Sequence, residues 1–280
     1  LIQRIVHLLR CSSADSHVLA LAFSRNAAAE MRKRISAVLS VNENPTKCAA
    51  QLSRVSIFTF HGLSYKIVRE NFRLLGFSQP PTICTGKQAY QIVKVSYSIL
   101  FYSRIYSDRT VLTVFLLMLV CWLLCPKELV GMQSALVAAC NLGHMSPAGA
   151  ASALFKRFMT IQTWSVQGTE PPEDPVMDLF KMYTDLVHSK QHVEFCELVR
   201  MANQVLLTDP FALDSLSSHF KFLLVDEAQD MNRFQRDLVL ILFQRNAAVS
   251  VVGDYDQLIY GFQGARASLM GDLCRCFRGD

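Results

Sequence analysis

Four short, mostly apolar runs set the tightest limit on what this chain can fold into: VLALAF (Val18–Phe23), VSIFTF (Val55–Phe60), FKFLLV (Phe220–Val225) and AVSVV (Ala248–Val252). Each is too short for a stable helix and carries too little polar alternation for a sheet face in water. Strands buried on both faces read this way, as near-continuous hydrophobic runs. SRNAAAEMRKRISAVL follows the first run with an apolar side of Ala27, Met31, Ile35 and Val38. A helix from about Gly62 to Phe72 follows the second, and RFQRDLVLILFQ separates the last two. Strand alternating with helix requires a parallel α/β sheet. Ligands of such sheets bind beyond the carboxyl ends of the strands. The polar residues after Phe23, Phe60, Val225 and Val252 all belong to that edge.

The alternation breaks at GFSQPPT and resumes only near residue 219. The expected organisation is therefore a sheet domain in two pieces, 1–75 and 219–280, interrupted by a largely helical insertion at 76–218. Within the insertion, Val111–Cys125 is uncharged and closed by Pro126. A bilayer span needs about 20 such residues, so this run reads as a buried helix or as sequence foreign to the parent fold. No stable membrane association is expected. TEPPEDP and NENPTK read as loops, and Asp178–Pro210 holds two helical stretches. In LIQRIVHLLR the positions Ile2, Ile5, Val6 and Leu9 share one helix face. The closing CRCFRGD shows no finished element, and the start has neither an initiator methionine nor a signal-peptide pattern, so both ends read as those of a fragment.

Composition adds little. A formal charge of +5 permits an anionic polymer as partner without specifying one. Nine cysteines without a CxxC pair read as reduced thiols of an intracellular protein.

The chemistry concentrates at the strand ends. In LLVDEAQD, four apolar residues lead into adjacent carboxylates, Asp226 and Glu227. A nucleotide hydrolase needs one acid to hold magnesium and another to polarise the attacking water; an ordinary strand-to-helix turn explains a bare apolar-DE match equally well. Gln257 in GDYDQ is placed to sense a phosphate oxygen or to sit in a surface turn. Tyr260 and Phe262 suit base stacking or a core. Ser24, Arg25 and Asn26, like Thr59 and His61, stand at strand-to-helix junctions that fit either phosphate contact or helix capping. No GxxxxGK[ST] loop occurs, and CTGKQ (Cys84–Gln88) lacks both the preceding glycine and the metal-binding hydroxyl.

Taken in order, AFSRNAAAEMRKRI, FTFHGL, LLVDEAQDMNRFQ and VVGDYDQLIYGFQGA resemble motifs Ia, Ib, II and III of the UvrD/Rep-type superfamily 1 DNA helicases. VEFCELV (Val193–Val199) resembles a stretch that precedes motif II there, with Glu194 and Glu197 at its acidic positions and Cys196 departing. The likeness is poor at 80–150. It implies a RecA-like P-loop NTPase sheet with a 1B-like helical insertion, and ATP and Mg2+ as ligands. By that resemblance Asp226 binds the metal, Glu227 is the catalytic base and Gln257 senses the γ-phosphate. Ser24, Arg25, Asn26, Thr59, Phe60, His61, Tyr260 and Phe262 would lie along DNA. Gln263 stands where the family often has arginine. The function implied is part of a 3′-to-5′ helicase or translocase on single-stranded or partly duplex DNA, in repair or recombination with proteins of those pathways, and in the nucleus. Motif I and motifs IV to VI are missing from these residues, so the fragment alone is expected to be inactive. The alternative is a non-enzymatic DNA-binding or protein-interaction module derived from a helicase.

Overall fold

The computed structural model describes residues 1–41, 44–94, 147–167, 177–244, 248–257, 265 and 267–278. Val111–Cys125, TEPPEDP, Tyr260, Phe262 and Gln263 lie outside the described residues. Among the described residues, no helix is long and apolar enough to cross a membrane.

The described chain forms two compact units: 1–80, 166–168 and 195–280 form the first, and 81–165 with 169–194 the second. The first holds a four-stranded parallel sheet in the order β2-β1-β5-β6, with β1 His17–Ala22, β2 Val55–Thr59, β5 Phe220–Val225 and β6 Ala248–Val251. The expected parallel α/β sheet with helical insertions is what the chain adopts. Central β1 is almost wholly buried, β5 is buried at Phe220 and from Leu223 to Val225, and the edge strand β6 is only half-buried, which is why the apolar runs of the first two are the more continuous.

Side chains alternate across a strand. Val18, Ala20, Ala22 and Leu224 face helix α1 (Ile2–Cys11) and helix α2 (Arg25–Ser40), meeting Ile5, Val6, Leu9, Met31, Ile35 and Leu39 in one core. Leu19, Leu21, Leu223 and Val225 turn to the other face and are equally buried. A layer there is built by helices Phe60–Glu70, Leu198–Thr208 and Arg233–Phe243, the middle one packing on both others. The middle helix fell inside the expected insertion. Local periodicity shows that a helix has an apolar side without showing which core that side joins.

Capping side chains set the helix starts. Ser24 accepts from Ala27 N at 3.1 Å, Thr59 from Gly62 N at 3.0 Å, and Asn232 with Gln235 forms a reciprocal capping box. Three details differ from the sequence expectation. Phe60 opens a helix instead of closing β2. NENPTK is not all loop: Pro45 begins helix Pro45–Ser53, with Asn44 as its cap, because proline's fixed φ and missing N–H suit the first helical position. Cys274–Arg278 of the closing CRCFRGD belong to a helix, Ala267–Arg278.

The described residues of the second unit are mostly helical. A two-residue parallel pair, β3 Thr82–Ile83 with β4 His192–Val193, accompanies helix Pro147–Gln167 and helix Met177–Ser189. Its core contains Cys84, Ile92, Val93, Leu154, Phe158, Ile161 and Tyr183. Buried Glu194 accepts a hydrogen bond from Tyr183 Oη there. CTGKQ is a helix start, since Gln88 Oε1 accepts from Thr85 N at 2.9 Å and from Thr85 Oγ1 at 2.8 Å. Cys11, Cys48, Cys84, Cys274 and Cys276 are free thiols.

Candidate nucleotide and nucleic-acid site

Because all four strands of the sheet run parallel, their carboxyl ends share one edge. Ser24–Asn26 follow β1, Thr59–His61 follow β2, Asp226 and Glu227 follow β5, and Gly253–Gln257 follow β6. Backbone hydrogen bonds extend beyond the strands and tie these ends together. Asp226 N donates to Leu21 O at 3.0 Å, Val252 N to Val225 O at 2.9 Å, and Ala228 N to Val252 O at 2.9 Å.

Glu227 sits between two of those anchors with φ 51° and ψ 47°. A non-glycine residue held in this left-handed region costs about 1–3 kcal/mol, which the surrounding structure must offset. The bland reading, in which an acid caps the following helix, does not hold for Glu227: it makes no side-chain cap bond to the 3-10 turn Ala228–Asp230. Its Oε2 instead accepts from Gln229 Nε2 at 2.7 Å. Asp226 is half-buried. Burial first, and then the Glu227 charge, raises its pKa above the ordinary aspartate value. The Glu227 N–H and Arg34 pull the other way. Two adjacent carboxylates in a partly desolvated place are under-neutralised, and a divalent cation would relieve both causes of the shift. The pair therefore suits a magnesium-bound phosphate. Among the described residues no set of three His, Cys, Asp or Glu side chains is grouped to hold a metal, and magnesium at phosphate sites needs only one or two protein carboxylates.

Sequence reasoning did not single out Gln229. It is 1% exposed, and while Nε2 donates to Glu227, its Oε1 accepts from Asp254 N at 2.9 Å. Chemistry fixes this orientation of the amide, because a carboxylate needs a donor and a backbone N–H needs an acceptor. The turn beyond β6 is then organised by Asp254. Its Oδ1 accepts from Asp256 N at 3.0 Å, and its Oδ2 accepts from Gln257 Nε2 at 2.8 Å. Gln257 itself is exposed. Gly253 allows this close approach: a Cβ there would lie 2.7 Å from Gln229 Oε1, 2.9 Å from Met270 Sδ and 3.1 Å from Ala228 N. Glu227 and Gln257 are thus linked through Gln229 and Asp254, with Asp226 next to Glu227 at the same sheet edge.

Around β1 and β2 the residues divide. Ser24, Arg25 and Asn26 are exposed, with the Ser24 hydroxyl oxygen engaged as a cap. Thr59 is likewise a cap. Phe60 is 1% exposed and belongs to the core, so its ring is not available to a strand at the surface. The apolar core that must seal the first turn of its helix claims it. His61 stacks on Phe195, centroids 4.0 Å apart and planes 14° from parallel. Burial lowers its pKa to about 4, making the imidazole neutral at pH 7. Phe195 keeps 47% exposure and was also missed. The resemblance reached Val193–Val199 but marked only its acidic positions.

The model of the UvrD/REP helicase N-terminal domain matches residues 1–277. The chain belongs to the UvrD/Rep helicase family. Similar curated proteins include the ATP-dependent DNA helicase PcrA of Leuconostoc citreum, 26% identical over 268 residues, covering 95% of this chain and 30% of that protein. The ATP-dependent DNA helicase Rep of Buchnera aphidicola subsp. Baizongia pistaciae is 25% identical over 269 residues, covering 95% of this chain and 33% of Rep. DNA helicase II of Haemophilus influenzae is 23% identical over 282 residues, covering 100% of this chain and 33% of its own length. The chain thus spans about a third of the length of the curated relatives it matches. Within the UvrD/Rep family, the α/β sheet with its helical insertions corresponds to a RecA-like P-loop NTPase domain.

Proposed function

We propose that this chain is the first ATPase domain of an ATP-dependent DNA helicase or translocase. In this reading it moves 3′ to 5′ on single-stranded or partly duplex DNA and serves repair or recombination with the proteins of those pathways. The observation that carries the reading is the hydrogen-bonded chain of Glu227, Gln229, Asp254 and Gln257, with Asp226 adjoining Glu227 at the end of β5, in a chain whose similar proteins are named ATP-dependent DNA helicases.

Asp226 would hold Mg2+ together with the nucleotide phosphates; when bound, the ion neutralises charge on those phosphates. Glu227 takes the proton of the attacking water, and its exposed carboxylate suits a base that must reach solvent and ligand. Gln257, held on Asp254 in this structure, reports the γ-phosphate by exchanging that partner for a phosphate oxygen. Arg25 supplies backbone charge neutralisation to DNA, with Ser24 and Asn26 as neutral contacts. Phe195, exposed and stacked on His61, offers a base a flat surface. Tyr260 and Phe262 are proposed as further base-stacking residues.

Gln257→Ala in the polypeptide carrying this chain tests the reading. ATP affinity should stay within about threefold, while the stimulation of hydrolysis by single-stranded DNA should largely vanish. A wild-type stimulated rate would refute the assignment of Gln257. Since the relatives are about three times as long, the 280 residues alone are proposed to hydrolyse ATP poorly, and appreciable DNA-stimulated ATPase from the isolated chain would contradict that.

A further inference from the structure

We propose that Gln229 is a positioning residue that links the orientation of the hydrolytic carboxylate Glu227 to the position of the turn carrying Gln257. The inference rests on the reading of Glu227 as the base and goes beyond it by naming how the base is held and what moves it.

Three observations carry it. Among the described residues Gln229 is the one side chain bonded to both segments: Nε2 donates to Glu227 Oε2 at 2.7 Å and Oε1 accepts from Asp254 N at 2.9 Å. It is also buried to 1% exposure, where a lost hydrogen bond is not replaced by bulk water and the two bonds resist being broken separately. Finally, the space around it is closed on the side of the turn, because even a methyl at Gly253 would lie 2.7 Å from Oε1. A shift of Asp254 therefore displaces the amide instead of being absorbed by empty room.

At the other end of the link Glu227 has, among the described residues, little other restraint on its side chain. It is exposed, makes no cap bond and stands on a left-handed backbone. Its Oε2 contact with Gln229 fixes which oxygen faces inward and leaves Oε1 for water. On the turn, Asp254 passes the movement on, since its Oδ2 holds the Gln257 amide at 2.8 Å. When Gln257 leaves Asp254 for a phosphate oxygen, the turn is released at one end while Gln229 still grips its backbone at the other. The carboxylate that activates water and the amide that reads the phosphate are then set by one buried side chain two residues from the base.

The test uses the polypeptide carrying this chain with two near-isosteric variants, Gln229→Met and Gln229→Glu, and Glu227→Gln as reference. Gln229→Met removes both bonds at similar volume. Gln229→Glu keeps an acceptor for Asp254 N but sets a second acid against Glu227. Both should lower DNA-stimulated kcat about 10- to 100-fold, the scale of a misplaced catalytic group, with the KM for ATP within about threefold of wild type. Gln229→Glu should also move the acid limb of the kcat–pH profile upward by about one unit, since a like charge disfavours ionisation of the base. A purely structural role would lower thermal stability without moving that limb. Should Gln229→Met fail to fold, the pH profile of Gln229→Glu decides alone. Wild-type kcat and an unmoved limb in Gln229→Glu, with Glu227→Gln inactive, would overturn the inference. Full activity in Glu227→Gln would instead overturn the reading of Glu227 on which it rests.

Discussion

His61 gives the sharpest quantitative prediction. Its imidazole is largely desolvated and stacked on Phe195, and burial lowers its pKa to about 4 from an ordinary value near 6.5. The folded chain then binds the proton less readily than the unfolded one. The stabilising contribution is complete above pH 6.5 and is lost as pH falls toward 4. Between pH 7.5 and pH 5 the loss comes to about 2 kcal/mol, at roughly 1.4 kcal/mol per unit over the part of the window crossed. His61→Phe keeps a flat ring on Phe195 and removes the proton site. Urea denaturation of both proteins at the two pH values isolates the effect, because every other titrating group is shared. Wild type should lose about 2 kcal/mol more than the variant on acidification. Equal losses, or an imidazole titrating near 6.5 by NMR, would refute the reasoning. The functional corollary is that His61 meets a phosphodiester as a neutral donor, so His61→Gln should leave the salt dependence of DNA binding unchanged.

Arg54 is expected to be a larger determinant of stability than its position in a junction suggests. Its guanidinium donates to Leu9 O at 2.9 Å, Ser12 Oγ at 2.8 Å, Ser13 O at 2.6 Å and Ser16 O at 3.1 Å, so Arg54→Ala should cost about 2–4 kcal/mol in urea denaturation. Arg54→Lys should recover less than half, because an ammonium cannot reproduce the planar fork. Arg25, exposed beyond β1, should contribute to DNA binding as a charge: Arg25→Ala is expected to weaken binding and reduce the slope of log K against log salt by about 1. An unchanged slope would remove Arg25 from the interface.

The parallel sheet was legible because strands covered on both faces leave an apolar trace that loops and surface helices do not. The strand ends were legible for the same reason, since Asp226 and Glu227 stand immediately after Val225. What local pattern cannot express is a partnership formed only by folding. Gln229 looked like one polar residue in AQD, and its importance arises from Asp254, which β5–β6 pairing brings beside it. Phe60 illustrates the converse. It shares the TFH element with two residues of the strand-end surface, yet the helix that begins there turns its ring into the core. The left-handed conformation of Glu227 had no sequence sign, because such positions usually favour glycine or asparagine. Likewise nothing in the periodicity of Leu198–Thr208 indicated that it packs on helices Phe60–Glu70 and Arg233–Phe243.

The central claim is that the edge beyond β5 and β6 hydrolyses ATP through Glu227. The most direct measurement is the DNA-stimulated ATP hydrolysis rate of Glu227→Gln in the polypeptide carrying this chain, alongside its ATP affinity. The account predicts a kcat lowered at least about 100-fold, as loss of a general base does, with ATP binding retained because the amide replaces the carboxylate without adding bulk. A variant that hydrolyses ATP at the wild-type rate would contradict it.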